Sequence, residues 1–399
     1  MDRKKNGVFS PYTPGRTYSV YTGNEKKKGQ KKRRSPRILI GILTAIVLVL
    51  LLMGLTQRLF GDRGRVGIGN IQKIGAMVSQ NVYPFGDNVI FYDGMSIHCV
   101  SATGASVWSY QIGSNADYDI GENRIIAWTG NDLYILNDRG RLTYNNKMSD
   151  YIQFASVGRE YAAAFVGTQD TGVVTVINEN GQTVDNITIE NQTLLDIGFF
   201  DAATTSSTQT TELMWTMGLI TTGTVIETEL QTFQPGRLLT GRTSLGDHIA
   251  YKVFDNNGIL NIVTTREILH YNYRAVESES SSLIYGYTLE DIRRSGNTLY
   301  QLFLPNSDQS RSGTINSVRI MYGNVNRVIH LPGNCFGATL GSRGIYGFSE
   351  NTIYACRFGD TTFQSYPLDI PINKVIGMIT NNRAVVSSGV DIYVVDLPM

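Results

Sequence analysis

ENRIIAWTGNDLYILNDRG, residues 122–140, is two short apolar runs closed by two turns. Ile125–Trp128 and Leu133–Leu136 are rich in β-branched and aromatic residues, and Gly, Asn and Asp end each run. This is the pattern of a β-hairpin; an amphipathic helix would space its apolar residues three or four apart. The unit recurs in both directions. Asp87-Asn88 opens VIFYDG and SIHCVSATG, and Arg159-Glu160 opens YAAAFVG and GVVTVINENG. Gly296-Asn297, Ser342-Arg343 and Asn381-Asn382 open three more pairs. Two less regular units lie between, ELMWTMGL with TVIETELQ and ILNIVTT with EILHYNYRA. The units begin near residues 87, 122, 159, 211, 257, 296, 342 and 381. That spacing suits a four-stranded propeller blade of about 40–45 residues.

A third strand follows many units, as in Val107–Ile112 and Thr362–Tyr366, and the strand before each unit is the fourth. The last unit reaches Leu397 with only three strands, while Ile68–Ile74 is left over at the front. Pairing the two would close a ring and hide two sheet edges. The expected fold is therefore all-β: a single β-propeller over residues 66–399, of about eight blades, seven being within the error of the count. Two β-sandwiches are the rival architecture, but they would not give so even a period.

Upstream the composition changes. Residues 1–37 hold 12 Lys and Arg against Asp2 and Glu25, whereas the remainder holds 23 basic and 32 acidic residues. The formal net charge of +1 thus hides a basic tail and an acidic ring. Residues 38–57, ILIGILTAIVLVLLLMGLTQ, are uncharged and long enough to cross about 30 Å of hydrocarbon. No A-x-A pattern follows, so residues 37–58 read as an uncleaved transmembrane signal anchor, with 59–65 a short linker. The basic flank points inward, which makes residues 1–36 a disordered cytoplasmic tail and the ring extracytoplasmic at the cell membrane. The expected partners are the lipid bilayer at residues 38–57 and an envelope protein or polymer at the ring. The basic tail beside a membrane span needs no nucleic acid to explain it, and the acidic ring disfavours one.

The segment Ala102-Thr-Gly104-x-x-x-Trp108 resembles the turn and tryptophan of quinoprotein-like propellers. Basic tail, single anchor and Tyr-rich outer ring together resemble an uncharacterised Gram-positive domain-of-unknown-function family, DUF 5711, over almost the whole chain. The resemblance implies a cell-surface propeller of unestablished activity and transfers no functional residue.

Chemistry is sparse in the sequence. His98, His248, His270 and His330 each fall in a different unit, with no paired-histidine metal spacing. His98 and Cys99 are strand neighbours and point to opposite faces. Cys335 and Cys356 are expected on the first and third strands of one blade, too far apart for a disulfide, so the three thiols read as free and buried. Asn137–Gly140, Asn178–Gly181 and Asp255–Gly258 look like calcium loops but lack the downstream Glu, and hairpin turns explain them better. The sequence implies no cofactor, no metal and no catalytic residue.

Asp119, Asp196 and Asp291 echo one another in Asp-Ile-Gly, Asp-Ile-Gly and Asp-Ile-Arg. If the first strand of each blade lines the axis, these carboxylates would surround a central channel and hold a cation or a basic segment. Capping of neighbouring strands through backbone hydrogen bonds is the plainer reading. Two polar segments, Asp201–Thr211 and Glu277–Ser282, are expected as long projecting loops. The functional expectation is a surface-tethered, non-enzymatic interaction scaffold. The alternative is a quinoprotein-like or hydrolytic propeller, enzyme or sensor, using the axial pocket. Three or more titratable groups at one channel mouth would favour that alternative, and a channel closed by Val, Ile and Tyr would count against it.

Overall fold

The computed structural model describes residues 68–399 apart from 169, 204–209, 307–312 and 381. The basic tail, the transmembrane segment, the linker and residues 66–67 lie outside the described residues. No helix among the described residues is long and apolar enough to cross a membrane.

Strand β1 (Ile71–Met77) comes first in the chain and is used last. Blade 1 takes β2 (Val82–Phe85), β3 (Asn88–Tyr92), β4 (Ser96–Ser101) and β5 (Ser106–Gln111). Blade 2 takes β6 (Asp117–Ile120), β7 (Arg124–Thr129), β8 (Asp132–Asn137) and β9 (Leu142–Lys147). Blade 3 takes β10 (Ile152–Val157), β11 (Tyr161–Gly167), β12 (Gly172–Asn178) and β13 (Thr183–Ile189). Blade 4 takes β14 (Thr193–Ala203), β15 (Thr210–Ile220), β16 (Glu227–Gln234) and β17 (Leu238–Ser244). Blade 5 takes β18 (Ala250–Asn256), β19 (Ile259–Thr264), β20 (Glu267–Tyr271) and β21 (Glu277–Leu283). Blade 6 takes β22 (Tyr287–Ser295), β23 (Thr298–Pro305), β24 (Ile315–Tyr322) and β25 (Val325–Cys335). Blade 7 takes β26 (Gly337–Leu340), β27 (Gly344–Ser349), β28 (Thr352–Arg357) and β29 (Gln364–Pro367). Blade 8 takes β30 (Lys374–Ile379), β31 (Arg383–Ser388) and β32 (Asp391–Asp396), with β1 as its outer strand.

The blades number eight, not seven. Closure is as the sequence implies, but the strand runs three residues later than Ile68–Ile74: Ile71 pairs with Val395 and Lys73 with Tyr393. Lys73 also reaches Asp391 at 2.6 Å.

The second strand of most blades has neighbours on both faces, so it reads as a continuous apolar run instead of an alternating one, β23 of blade 6 being the departure. Ala162–Val166 in β11 and Ala384–Ser387 in β31 are buried at every position. Outer strands face solvent, and β5 and β9 hold no fully buried residue. Eight apolar clusters follow, one between each pair of neighbouring blades, including the pair formed by blades 8 and 1. Outer strands also latch onto the next blade. The Trp108 indole N–H donates to Asp138 O at 3.0 Å and its ring covers Gly140. Gly140 has φ +69°, and a Cβ there would sit 2.4 Å from the ring, so the latch needs glycine on both counts.

Several sequence expectations need correction. Cys335 ends the outer strand of blade 6 and Cys356 lies on the third strand of blade 7, so the two are not in one blade. β25 runs to eleven residues and ends at Cys335 itself, which keeps that thiol in blade 6. All three thiols are free and buried, and burial pushes Cys99 and Cys335 up to about 12 and Cys356 to about 11. Glu277–Ser282 is not a loop but most of β21, an outer strand whose solvent exposure permits a polar sequence. Asp201–Ala203 and Thr210–Thr211 are likewise strand, extending the β14–β15 hairpin.

Candidate functional site

The first strand of each blade faces the axis, and three adjoining cavities lie along it. The largest, about 760 Å³, is lined by β6, β10, β14 and β18 of blades 2 to 5. A second, about 630 Å³, shares Asp119 and Glu122 with it and runs under Tyr83–Gly86 of blade 1. A third, about 330 Å³, shares Pro84 with the second and is walled by β22, β26 and β30.

Local sequence irregularity shapes these walls. In β10, β14, β18, β22 and β30 the register with the second strand slips by one residue, leaving Gln153, Leu195, Tyr251, Glu290 and Ile376 outside the pairing. A bulge bends the strand and re-aims the side chains beside it. Asp196 and Asp291 each follow such a bulge. Asp119 does not: β6 is paired without interruption, and Asp119 lies opposite Ile126, nearer the turn at Gly121. The Asp-Ile-Gly echo is thus a repeat of letters and not of position for Asp119.

The three aspartates line these cavities and differ in what they do there. Asp119 and Asp196 face the largest cavity and Asp291 the third. Asp291 accepts from Thr339 Oγ1 at 2.6 Å and from Leu340 N–H at 2.8 Å, capping the first strand of the next blade. Asp119 accepts from Val157 N–H at 3.4 Å, a weaker bond of the same kind. Among the described residues Asp196 accepts only from its own neighbour, Ile197 N–H at 2.9 Å. Its side chain is exposed to the cavity, whose walls of neighbouring strands still crowd the carboxyl. The resulting loss of hydration pushes it up to about 6, with repulsion from Asp119 adding and the bond from Ile197 and the charge of Lys252 opposing.

That shift carries a sign for stability. In the folded ring Asp196 takes up a proton below about pH 6, whereas in the unfolded chain it does so only near its ordinary 3.8. The folded state therefore binds more protons between these values, and acidification through that window favours folding at this group. Asp196→Asn should melt above the parent at pH 7.5, and the gap should close as the pH is lowered to about 4. A gap of constant size in urea titrations across that range would refute the assignment.

Sequence reasoning missed most of what surrounds Asp196. Glu122, Asp201, Glu212 and Asp255 also line the large cavity, with Phe154, Phe199, Phe200, Phe254 and Trp215, while Arg159 is the one basic residue among the described lining residues. Arg159 is spoken for, holding Asp201 through both guanidinium nitrogens at 2.9 and 3.0 Å. Glu212 is buried and accepts three backbone N–H groups of the blade 3 turn, from Arg159 at 2.6 Å, Glu160 at 2.7 Å and Tyr161 at 2.9 Å. Burial nonetheless wins and holds its carboxyl above the ordinary range. Asp255 accepts from Gly258 N–H at 2.9 Å, and burial raises it too. None of these residues stands in a sequence motif; a tertiary turn brings them together. Among the described residues no group of three or more His, Cys, Asp or Glu has metal-binding geometry.

The turns taken for calcium look-alikes are hairpin turns. Asn137 Oδ1 accepts from Arg139 and Arg141 N–H, and Asn178 Oδ1 from Asn180 and Gln182 N–H.

Eight antiparallel four-stranded sheets around one axis, closed by the first strand on the last, decide the architecture. The chain is an eight-bladed β-propeller. It is similar in fold to the WD40 domain of SCAP from fission yeast, at 9% identity over 82% of this chain and 98% of that one, with a TM-score of 0.53. A eukaryotic initiation factor matches at 10% identity over 82% and 88%, with a TM-score of 0.50. BamB from Moraxella catarrhalis matches at 10% identity over 84% and 100%, with a TM-score of 0.46. At these identities the likeness is one of fold alone. No protein-family model matches the propeller's sequence, and no curated protein sequence matches it.

Proposed function

We propose that this propeller is an interaction scaffold, held at the cell membrane by residues 38–57 with the ring outside and residues 1–36 inside. Its partner would be an envelope protein or polymer presenting a cationic segment to the axial mouth. The observation that carries this reading is the described lining of the large cavity, where six carboxyl side chains and five aromatic side chains meet a single, already paired arginine. Aromatic faces and carboxylates both attract an ammonium or guanidinium group. The basic tail, apolar run and Tyr-rich ring, the plan of the DUF 5711 family, support the tethered topology.

Titratable groups gathered at a channel mouth also suit the alternative, an enzyme or sensor working in the axial pocket. The scaffold reading stands ahead because Asp201 and Glu212 are consumed by Arg159 and by backbone N–H groups, which leaves a charged receptacle with no paired nucleophile and base among its described lining residues.

The full-length protein in detergent should bind a decalysine peptide, more weakly as salt rises. Combined Glu122→Gln and Asp196→Asn should weaken binding about tenfold, from two partly screened charge interactions of ~0.7 kcal/mol each. Equal affinity for a decaglutamate peptide would sink the reading. The topology has its own check: protease added to intact cells should digest the ring and spare residues 1–36, and the opposite pattern would reverse the orientation.

A further inference from the structure

The blade interfaces are not sealed alike. Among the described residues, seven of them hold clusters of nine to twelve buried apolar side chains. The interface between blades 5 and 6 holds five: Val263, Ile268, Ile284, Leu289 and Phe303. A cleft of about 510 Å³ takes up the remaining space, and its wall carries the carboxamides of Asn256, Asn257, Asn261, Asn297, Gln301 and Asn324. Well-packed interiors do not leave such a gap without loss of stability.

Three side chains in this cleft form a chain of hydrogen bonds. Asn261 on β19 and His270 on β20 are direct cross-strand partners and share one face of the sheet. Asn261 Oδ1 meets His270 Nδ1 at 2.8 Å, and His270 Nε2 lies 3.3 Å from Ser282 Oγ. The tautomer follows from the far end. Asn261 Nδ2 donates to Ile259 O at 2.9 Å, so its Oδ1 is the acceptor and His270 Nδ1 carries the proton. Nε2 then has its lone pair toward Ser282. The register of β20 with β21 slips on both sides of His270, which pairs with Glu279, and this bulging brings Ser282 within reach of the imidazole. Burial lowers the His270 pKa, against the pull of Glu279 and Glu277, and keeps the ring neutral near pH 7.

We propose that Ser282, His270 and Asn261 act as nucleophile, base and positioning residue in hydrolysis of an ester of a neutral, hydroxyl-rich molecule such as an O-acylated sugar. Ser282 Oγ attacks the acyl carbon as its proton passes to His270 Nε2. The carbon–oxygen bond to the alcohol breaks, and the alcohol leaves with that proton. Water, deprotonated by His270, then cleaves the acyl-serine bond, releasing the carboxylic acid and restoring Ser282. The substrate class follows from the wall. Carboxamides donate and accept without charge, as hydroxyl groups do. Gln301 Oε1 is buried with no partner among the described residues and lacks an O–H or N–H to accept from. Among the described lining residues Glu279 is the only acidic one and no Lys or Arg joins it, so an anionic ligand would find no countercharge there.

This site is separate from the axial mouth and stands or falls independently of the scaffold reading. Full-length protein in detergent is treated with a fluorophosphonate probe, whose P–F bond breaks as the Oγ–P bond forms, and in parallel with p-nitrophenyl acetate. The probe should be found on Ser282 by peptide mass spectrometry. Ser282→Ala should abolish labelling, and His270→Ala should slow both reactions about a hundredfold, the usual share of a general base. Asn261→Ala should slow them too, while Asn261→Asp, which still accepts from Nδ1, should restore them. Melting curves of each variant establish that the ring is intact. Absence of label on Ser282 under conditions that label a reference serine hydrolase would overturn the proposal. So would labelling unaffected by His270→Ala in a folded ring, which leaves the three residues as a polar ladder.

Discussion

Deleting Ile71–Met77 should abolish cooperative melting of the ring. The strand supplies the whole outer edge of blade 8, pairing with β32 from Ile71 to Met77. Ile74 and Ala76 are 2% exposed and belong to the cluster between blades 8 and 1. The strand also covers the blade 1 turn, where Lys73 O lies 3.1 Å from the place a Cβ on Gly104 would occupy. Losing one buried Ile costs about 2–5 kcal/mol even as a truncation to Ala. Adding the exposed edge of β32 and the lost seam brings the total near the ~5–15 kcal/mol that holds a typical domain folded. Ile74→Asp tests the same point without shortening the chain. Calorimetry should show a broadened, lowered or absent transition for both variants. An unchanged melting temperature for the deletion would mean the ring does not depend on this seam.

The second large effect is expected at Glu212. Glu212→Ala removes the acceptor of three part-buried N–H groups at one turn of blade 3. At ~1–3 kcal/mol for each fully buried group left unmade, three would lose about 3–9 kcal/mol, and partial burial of the turn places the loss toward the lower end. Glu212→Gln retains one acceptor oxygen and should lose clearly less. The neighbouring pair of Arg159 and Asp201, with side chains 42% and 39% exposed, should contribute little by comparison. Urea denaturation of the three variants ranks them, and equal loss from Asp201→Asn and Glu212→Ala would contradict this reading.

The fold was legible because its signal is repeated. Eight hairpins, most of them closed by Gly, Asn or Asp, state the same local rule, so an error in one unit does not alter the ring. The leftover strand at the front was legible for the same reason, since a count of three strands at Leu397 demands a fourth. What escaped was the exceptional. β25 overran its unit, which misplaced Cys335, and β21 is a strand whose sequence, Glu277-Ser-Glu-Ser-Ser-Ser-Leu283, carries no apolar alternation. An outer strand is held by backbone pairing to its neighbour, and that pairing leaves no mark on side-chain type. The axial carboxylates were half legible: Asp196 and Asp291 share a bulge, but the bulge itself is a backbone event. Ser282, His270 and Asn261 are brought together by register across three strands, which no spacing in the chain encodes.

The closing seam also sets an order of events in time. Asn70 N–H bonds Asp396, 326 positions along the chain, so the earliest part of the ring to be synthesised finds its partner only when the ring's final strand has emerged. Blades 1 to 7 each find all four strands within one stretch of chain, and can zip up as they appear. β1 must remain single throughout, an adhesive edge kept waiting for the length of the whole synthesis, and the final locking step is bound to be the slow one.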